Sequence, residues 1–108
     1  MITEAESEVL EALWREGPLS FADLIAAVRA RRPWGEATVK TLLHRAIQKG
    51  AVRSERRDGR TSYHASLDRQ AWLDAEIQAL ADRLFGGDLA ALARHLDAAG
   101  RDGTPSLR

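Results

Sequence analysis

Cysteine is absent from this chain of 108 residues, which removes disulfides and thiolate metal sites from consideration. That absence fits a reducing compartment. No apolar run approaches the roughly 18 residues needed to span a bilayer, so no membrane insertion is expected. The opening residues, Met1 to Glu6, are acidic and lack the basic start and apolar stretch of a signal peptide, which predicts a cytoplasmic chain. The three histidines, His44, His64 and His95, are scattered, with no i, i+4 ligand spacing. There is no Ser/His/Asp ordering, phosphate-binding glycine loop or isolated carboxylate dyad. Neither an enzyme nor a metal or cofactor site is expected. Internal repeats and low-complexity tracts are also missing. The length suits one compact domain, and 44% hydrophobic residues are enough to build its core.

Net charge is missing too, with sixteen residues of each sign, but the zero conceals a pattern. Residues 1–35 carry six acids and four bases, and residues 65–108 carry seven acids and five bases. Between them, residues 36–64 carry seven bases against three acids, a net of +4. Four arginines fall within Arg53-Ser-Glu-Arg-Arg-Asp-Gly-Arg60. Asymmetry of this kind speaks to partners more than to fold.

The order of elements is readable from caps and periodicity. Thr3 and Glu6 form a capping box ahead of an apolar face made by Val9, Leu10, Leu13 and Trp14, and Gly17-Pro18 ends that helix. Ser20 and Asp23 start a second helix, lined by Leu24, Ile25 and Val28, running to about Arg31 and closed by Pro33. A third is expected from about Glu36 to Lys49. Val39, Leu42, Leu43, Ala46 and Ile47 form its buried stripe, and Gly50 stops it in the left-handed conformation. Its other face shows Ala37, Thr38, Lys40, Thr41, His44, Arg45 and Gln48.

Asp58-Gly59 then predicts a two-residue type I′ hairpin, because both positions need positive φ. That register sets Val52 against Ala65, Ser54 against Tyr63, Arg56 against Thr61 and Arg57 against Arg60. The last pair places like charges opposite each other. Asp68 starts a fourth helix with Trp72, Ile77, Leu80, Ala81, Leu84 and Phe85 on its apolar side, ended by Gly86-Gly87. Asp88 starts a fifth with Leu89, Leu92, Ala93 and Leu96. The polar tail after Gly100 is expected to be disordered.

The fold class is therefore mainly α with a small β-hairpin. Residues 1–66 form a winged helix-turn-helix domain, residues 67–99 a short two-helix dimerisation segment, and residues 100–108 a tail. Two helices alone bury little apolar surface, so a second copy of the chain is expected on Trp72, Ile77, Leu80, Leu84, Phe85, Leu89, Leu92 and Leu96. In this plan the third helix, about residues 36–49, enters a DNA major groove, and the hairpin, about 52–65, is a wing on the backbone or minor groove. Thr38 and Thr41 are short donors near the helix start, Arg45 reaches a guanine edge or a phosphate, and Gln48 suits adenine. Lys40 and His44 complete the polar face. Arg56, Arg57 and Arg60 would release condensed counterions, and phosphates would relieve the Arg57/Arg60 repulsion.

The blocks Ile2-Thr-Glu-Ala-Glu6, Leu13-Trp14, Thr38-Val-Lys-Thr-Leu-Leu-His-Arg45, Lys49-Gly50 and Asp58-Gly-Arg60 with Tyr63 resemble the penicillinase-repressor family over about residues 2–96. That family includes repressors of β-lactamase and methicillin-resistance genes and a copper-responsive branch. The resemblance implies a homodimeric winged-helix repressor on a palindromic operator of double-stranded DNA. Thr38, Thr41 and Arg45 then fall on the recognition helix, Gly59-Arg60 on the wing, and the C-terminal helices make the dimer. It also implies inactivation through a sensor-linked protease, with the cleavage segment near Gly87 to Leu92.

Four departures stand out. Ala46 replaces a bulkier leucine-like residue. The cysteine pairs of the copper branch are absent. Gly100 to Arg108 does not supply the further helix of the antibiotic branch, and the Asn-Phe pair that some members carry at the cleavage segment is lacking. The competing reading is a winged-helix adaptor that binds protein, which calls for an apolar patch on the third helix or the wing. The sequence places none there.

Overall fold

Thr3 has extended backbone, and its hydroxyl accepts from the Glu6 N–H at 3.1 Å while the Thr3 N–H donates to Glu6 Oε1 at 2.9 Å. This reciprocal cap starts the first helix of the computed structural model, which describes residues 1–101. Helix α1 (Glu4–Glu16) is followed by α2 (Phe21–Arg29), α3 (Glu36–Gln48), strands β1 (Val52–Arg57) and β2 (Arg60–Ala65), then α4 (Arg69–Phe85) and α5 (Leu89–Arg101). This is a winged helix followed by two further helices. It divides into two units, Met1–Arg69 and the residues from Gln70 onward.

In the first unit, α1, α2 and α3 pack their apolar stripes on one another. Val9, Leu10, Leu24, Val28, Val39 and Ala46 are almost wholly buried, with Leu13, Ile25, Leu42, Leu43, Ala51 and Val52 around them. Trp14 and Ile47, expected on those stripes, are half-buried and edge the core. Ala46 is fully covered despite its size. Ser20 starts α2 by accepting from the Asp23 N–H. That helix ends at Arg29, two residues before the expected Arg31, and Ala30 and Arg32 then turn back to hydrogen-bond the Ala26 and Val28 carbonyls.

The turn from α2 to α3 is held by side chains. Arg32 pairs with Glu8 at 2.8 Å and lies 5.4 Å from the Trp34 ring centroid, while Arg29 Nε donates to the Trp34 carbonyl at 2.9 Å. These contacts fix how α3 leaves the core.

The hairpin has the expected register, Val52 with Ala65 through Arg57 with Arg60. Asp58 and Gly59 have φ of 54° and 76°, the paired left-handed geometry of a type I′ turn. Leu19 adds a bridge to β2, its N–H donating to the Tyr63 carbonyl at 3.2 Å and its carbonyl accepting from the Tyr63 N–H at 2.8 Å. The wing is thereby fastened to the chain just ahead of α2. Trp14 Nε1 donates to the Leu67 carbonyl at 2.9 Å and anchors the exit of the wing on α1.

In the second unit, Asp88 starts α5 by accepting from the Ala91 N–H at 3.1 Å. The Phe85 and His95 rings lie 5.9 Å apart across the Gly86-Gly87 turn. Of the residues expected to meet a second chain, Ile77, Leu84, Leu89 and Leu96 are 46, 57, 45 and 59% exposed. Trp72, Leu80 and Phe85 are half-buried, and Leu92 is buried within the single chain. Leu92, expected on the same stripe, is thus covered within the single chain and leaves almost no surface for a partner. Helix α5 continues through Gly100 to Arg101, past the expected start of the tail, and residues 102–108 lie outside the described residues. Among the described residues no helix is long and apolar enough to cross a membrane.

Candidate nucleic-acid interface

Helix α3 buries Val39, Leu42, Leu43 and Ala46 and thereby turns Thr38, Lys40, Thr41, His44, Arg45 and Gln48 to solvent; all six are exposed. They lie on successive turns, so one helix face carries two cations, an imidazole, an amide and two hydroxyls. The Thr41 hydroxyl donates to the Ala37 carbonyl at 3.1 Å. That alters the role expected for it: with its proton engaged along the helix, Thr41 meets a partner as an acceptor. Gly35 is the N-cap of the helix and brings no side-chain cap hydrogen bond to its first N–H groups.

Arg56, Arg57 and Arg60 are all exposed at the hairpin tip. Glu55 reorganises the charges around them. It accepts from Arg53 Nη1 at 3.1 Å, lies 3.4 Å from Arg57 Nη2 and 3.6 Å from His64 Nε2. The Arg53 hydrogen bond, followed by the attraction of Arg57 and His64, holds the Glu55 carboxyl below its ordinary value. The Arg57/Arg60 repulsion expected from the sequence is thus eased inside the hairpin before any phosphate arrives.

Lys49 also differs from its expected setting. Its ammonium donates to Glu6 Oε1 at 2.6 Å and to the Met1 carbonyl at 2.7 Å, tying the end of α3 to the start of α1. Glu6 is 1% exposed. Burial pushes its carboxyl upward, but the Lys49 hydrogen bond, the Thr3 contacts and the Lys49 charge together outweigh burial and leave it below the ordinary value. Of the seven bases in residues 36–64, Lys49, Arg53 and Arg57 pair with carboxylates. Lys40, Arg45, Arg56 and Arg60 have no ion pair among the described residues.

Two hollows flank the exposed face of α3. One, of about 290 Å³, lies along Thr38, Thr41 and Arg45. The other, of about 500 Å³, brings Phe21 of α2 and Tyr63 of β2 together with Lys40, His44 and Ile47 of α3. The Phe21 and Tyr63 rings are 6.4 Å apart. Sequence reasoning missed this groove, because its aromatic side comes from two elements distant in the chain. Only Tyr63, within the wing motif, signalled it.

The chain is 32% identical over 85 residues to an uncharacterized 16.5 kDa protein in the ptsI 3′ region of Latilactobacillus sakei, covering 79% of this chain and 58% of that one. It is 26% identical over 89 residues to the penicillinase repressor of Bacillus licheniformis, covering 82% of this chain and 69% of the repressor. Among solved structures it is similar to the monomeric form of Bacillus licheniformis BlaI in complex with the blaP half-operator, with a TM-score of 0.59 and 25% identity. That match covers 66% of this chain and 87% of the other. The penicillinase repressor family model matches residues 2–101, and the chain belongs to that family.

Proposed function

We propose that this chain is a sequence-specific DNA-binding transcriptional repressor, working in the cytoplasm as a homodimer on a palindromic operator. The observation that carries the reading is the set of cations without carboxylate partners, Lys40 and Arg45 on the exposed face of α3 and Arg56 and Arg60 at the hairpin tip. They sit on a scaffold similar to one solved with a half-operator. In this reading α3 enters the major groove, where Arg45 and Gln48 address base edges and Thr38, Lys40, Thr41 and His44 fix the helix on the strands. The wing runs along the backbone, with Arg56 and Arg60 towards phosphates and Arg57 beside Glu55. Residues 1–66 are the DNA-binding part. Residues 67–99 join two copies through Ile77, Leu84, Leu89 and Leu96, so that two α3 helices reach successive major grooves about 34–36 Å apart. Release through a sensor-linked protease would act on Gly87 to Leu92, which spans the end of the turn after α4 and the first turn of α5.

Titration of genomic fragments selected by the protein, at two salt concentrations, tests the reading. Salt-sensitive, saturable binding is expected. Arg45→Ala is expected to cost about 1–3 kcal/mol and to relax preference at one base pair. An Arg45→Ala protein with unchanged affinity and preference refutes the base-reading role. Binding of no duplex at either salt refutes the whole reading and favours the adaptor.

A further inference from the structure

We infer that the groove between α3, Phe21 and Tyr63 is the seat of one DNA strand, with a deoxyribose against the two rings and its flanking phosphates on Lys40 and His44; this rests on the DNA-binding reading above. The groove has two unlike sides. One is aromatic, from Phe21 and Tyr63, and the other is the polar face of α3, from Lys40 and His44 through to Arg45 and Gln48, with Ile47 also lining the groove. No carboxylate lines it. A sugar–phosphate strand has the matching alternation, since the ribose presents C–H groups and each phosphate a negative charge. A neutral peptide would leave Lys40 unanswered, and an acidic small molecule would leave part of the 500 Å³ trough unfilled.

The groove is also placed where a strand must run. It borders the exposed face of α3 and reaches Tyr63 on β2, the second strand of the wing. With α3 in the major groove and the hairpin tip on the adjacent backbone, the strand between them crosses this trough. The Leu19–Tyr63 bridge fixes both walls, because it joins the wing to the residues immediately before Phe21. Phe21 and Tyr63 thus become contacts that set the depth of α3 without reading sequence.

Tyr63 is the single tyrosine, so 3-fluorotyrosine gives one ¹⁹F resonance in otherwise unaltered protein. The probe is a fluorescein-labelled duplex of roughly 20 base pairs, two helical turns. At low salt the ¹⁹F signal is expected to shift with the same midpoint as the anisotropy. Phe21→Leu is expected to weaken binding roughly 3- to 10-fold on any sequence, with no change in salt slope. Lys40→Ala, at an exposed position, is expected to lower the slope by about one. Saturable, salt-sensitive binding with an unmoved ¹⁹F signal and a Phe21→Leu protein of unchanged affinity overturns the groove assignment and leaves the DNA reading intact. An absence of salt-sensitive binding by the unsubstituted protein overturns both.

Discussion

Replacing Lys49 by Met should unfold the winged helix more readily than any surface lysine change would. Glu6 is 1% exposed and has two hydrogen-bond donors, the Thr3 N–H at 2.9 Å and the Lys49 ammonium at 2.6 Å. Removing one member of a buried pair costs about 3–5 kcal/mol, because the other charge is left unanswered. Here Lys49 is itself 34% exposed and Glu6 keeps its Thr3 donor, so the cost falls to or below the bottom of that range, about 2–3 kcal/mol. For a domain of this size that lowers Tm by roughly 10 °C or more. Glu6→Gln retains an oxygen for the Thr3 N–H and for the ammonium, and should cost about 1–2 kcal/mol. The double substitution should cost less than the two singles together, with a coupling of about 1 kcal/mol or more.

The sign of the pH effect follows from the same pair. The folded carboxyl of Glu6 lies below its ordinary value, so its contribution is complete above the unfolded value of about 4.3 and fades as the pH falls through the folded one. Glu6→Gln should therefore flatten the loss of stability on acidification below about pH 4. Urea unfolding followed by tryptophan fluorescence reads all of these. A Lys49→Met protein within about 0.5 kcal/mol of the parent, or a Glu6/Lys49 cycle with no coupling, would refute the reasoning.

Thr3→Ala removes the hydroxyl half of the same capping box and should cost about 1 kcal/mol in a urea titration. Gly59→Ala must hold φ of 76° with a side chain, so the hairpin should lose about 1 kcal/mol, seen as faster amide exchange in β1 and β2. In the second unit, Leu84→Glu together with Leu96→Glu should turn a dimer into a monomer by sedimentation. Each half-exposed leucine contributes about 1 kcal/mol on burial, and the charges add a desolvation cost. A sedimentation coefficient unchanged by the pair would place the dimer contact elsewhere.

What the sequence could reveal was what short-range chemistry decides. The hairpin register followed from Asp58-Gly59 because a type I′ turn leaves no freedom to the residues on either side. The first caps were equally legible, since Thr3 and Ser20 act within three residues. The exposed face of α3 followed from its buried stripe by helical period alone. Properties set by residues distant in sequence were not legible. Lys49 looked like a cation at a helix end, and only folding brings Glu6, 43 positions earlier, beneath it. Leu92 looked like part of an open stripe and is buried within the chain. The proton of Thr41 is committed to Ala37 by side-chain rotation, which no pattern of residue types encodes.

These long-range pairings change the number of charges offered to a polyanion, and salt dependence measures that number. Seven bases in residues 36–64 would give a slope of about −6 per half-site at roughly −0.9 per phosphate neutralised. Folding diverts Lys49 to Glu6, and Arg53 and Arg57 to Glu55. Of the four that remain, Arg45 addresses a base edge, so Lys40, Arg56 and Arg60 set a slope of about −2.7 per half-site and about −5 for a dimer on two. Glu55→Gln frees Arg53 and Arg57 without adding a base, and should steepen the slope toward the larger figure while leaving base preference unchanged. Lys49→Met should leave the slope where it is, because that ammonium faces Glu6 and Met1. A parent slope near −6 per half-site, or one that falls by about one in Lys49→Met, would mean that DNA pulls these side chains out of their internal pairs and that the free-chain charge map does not govern binding.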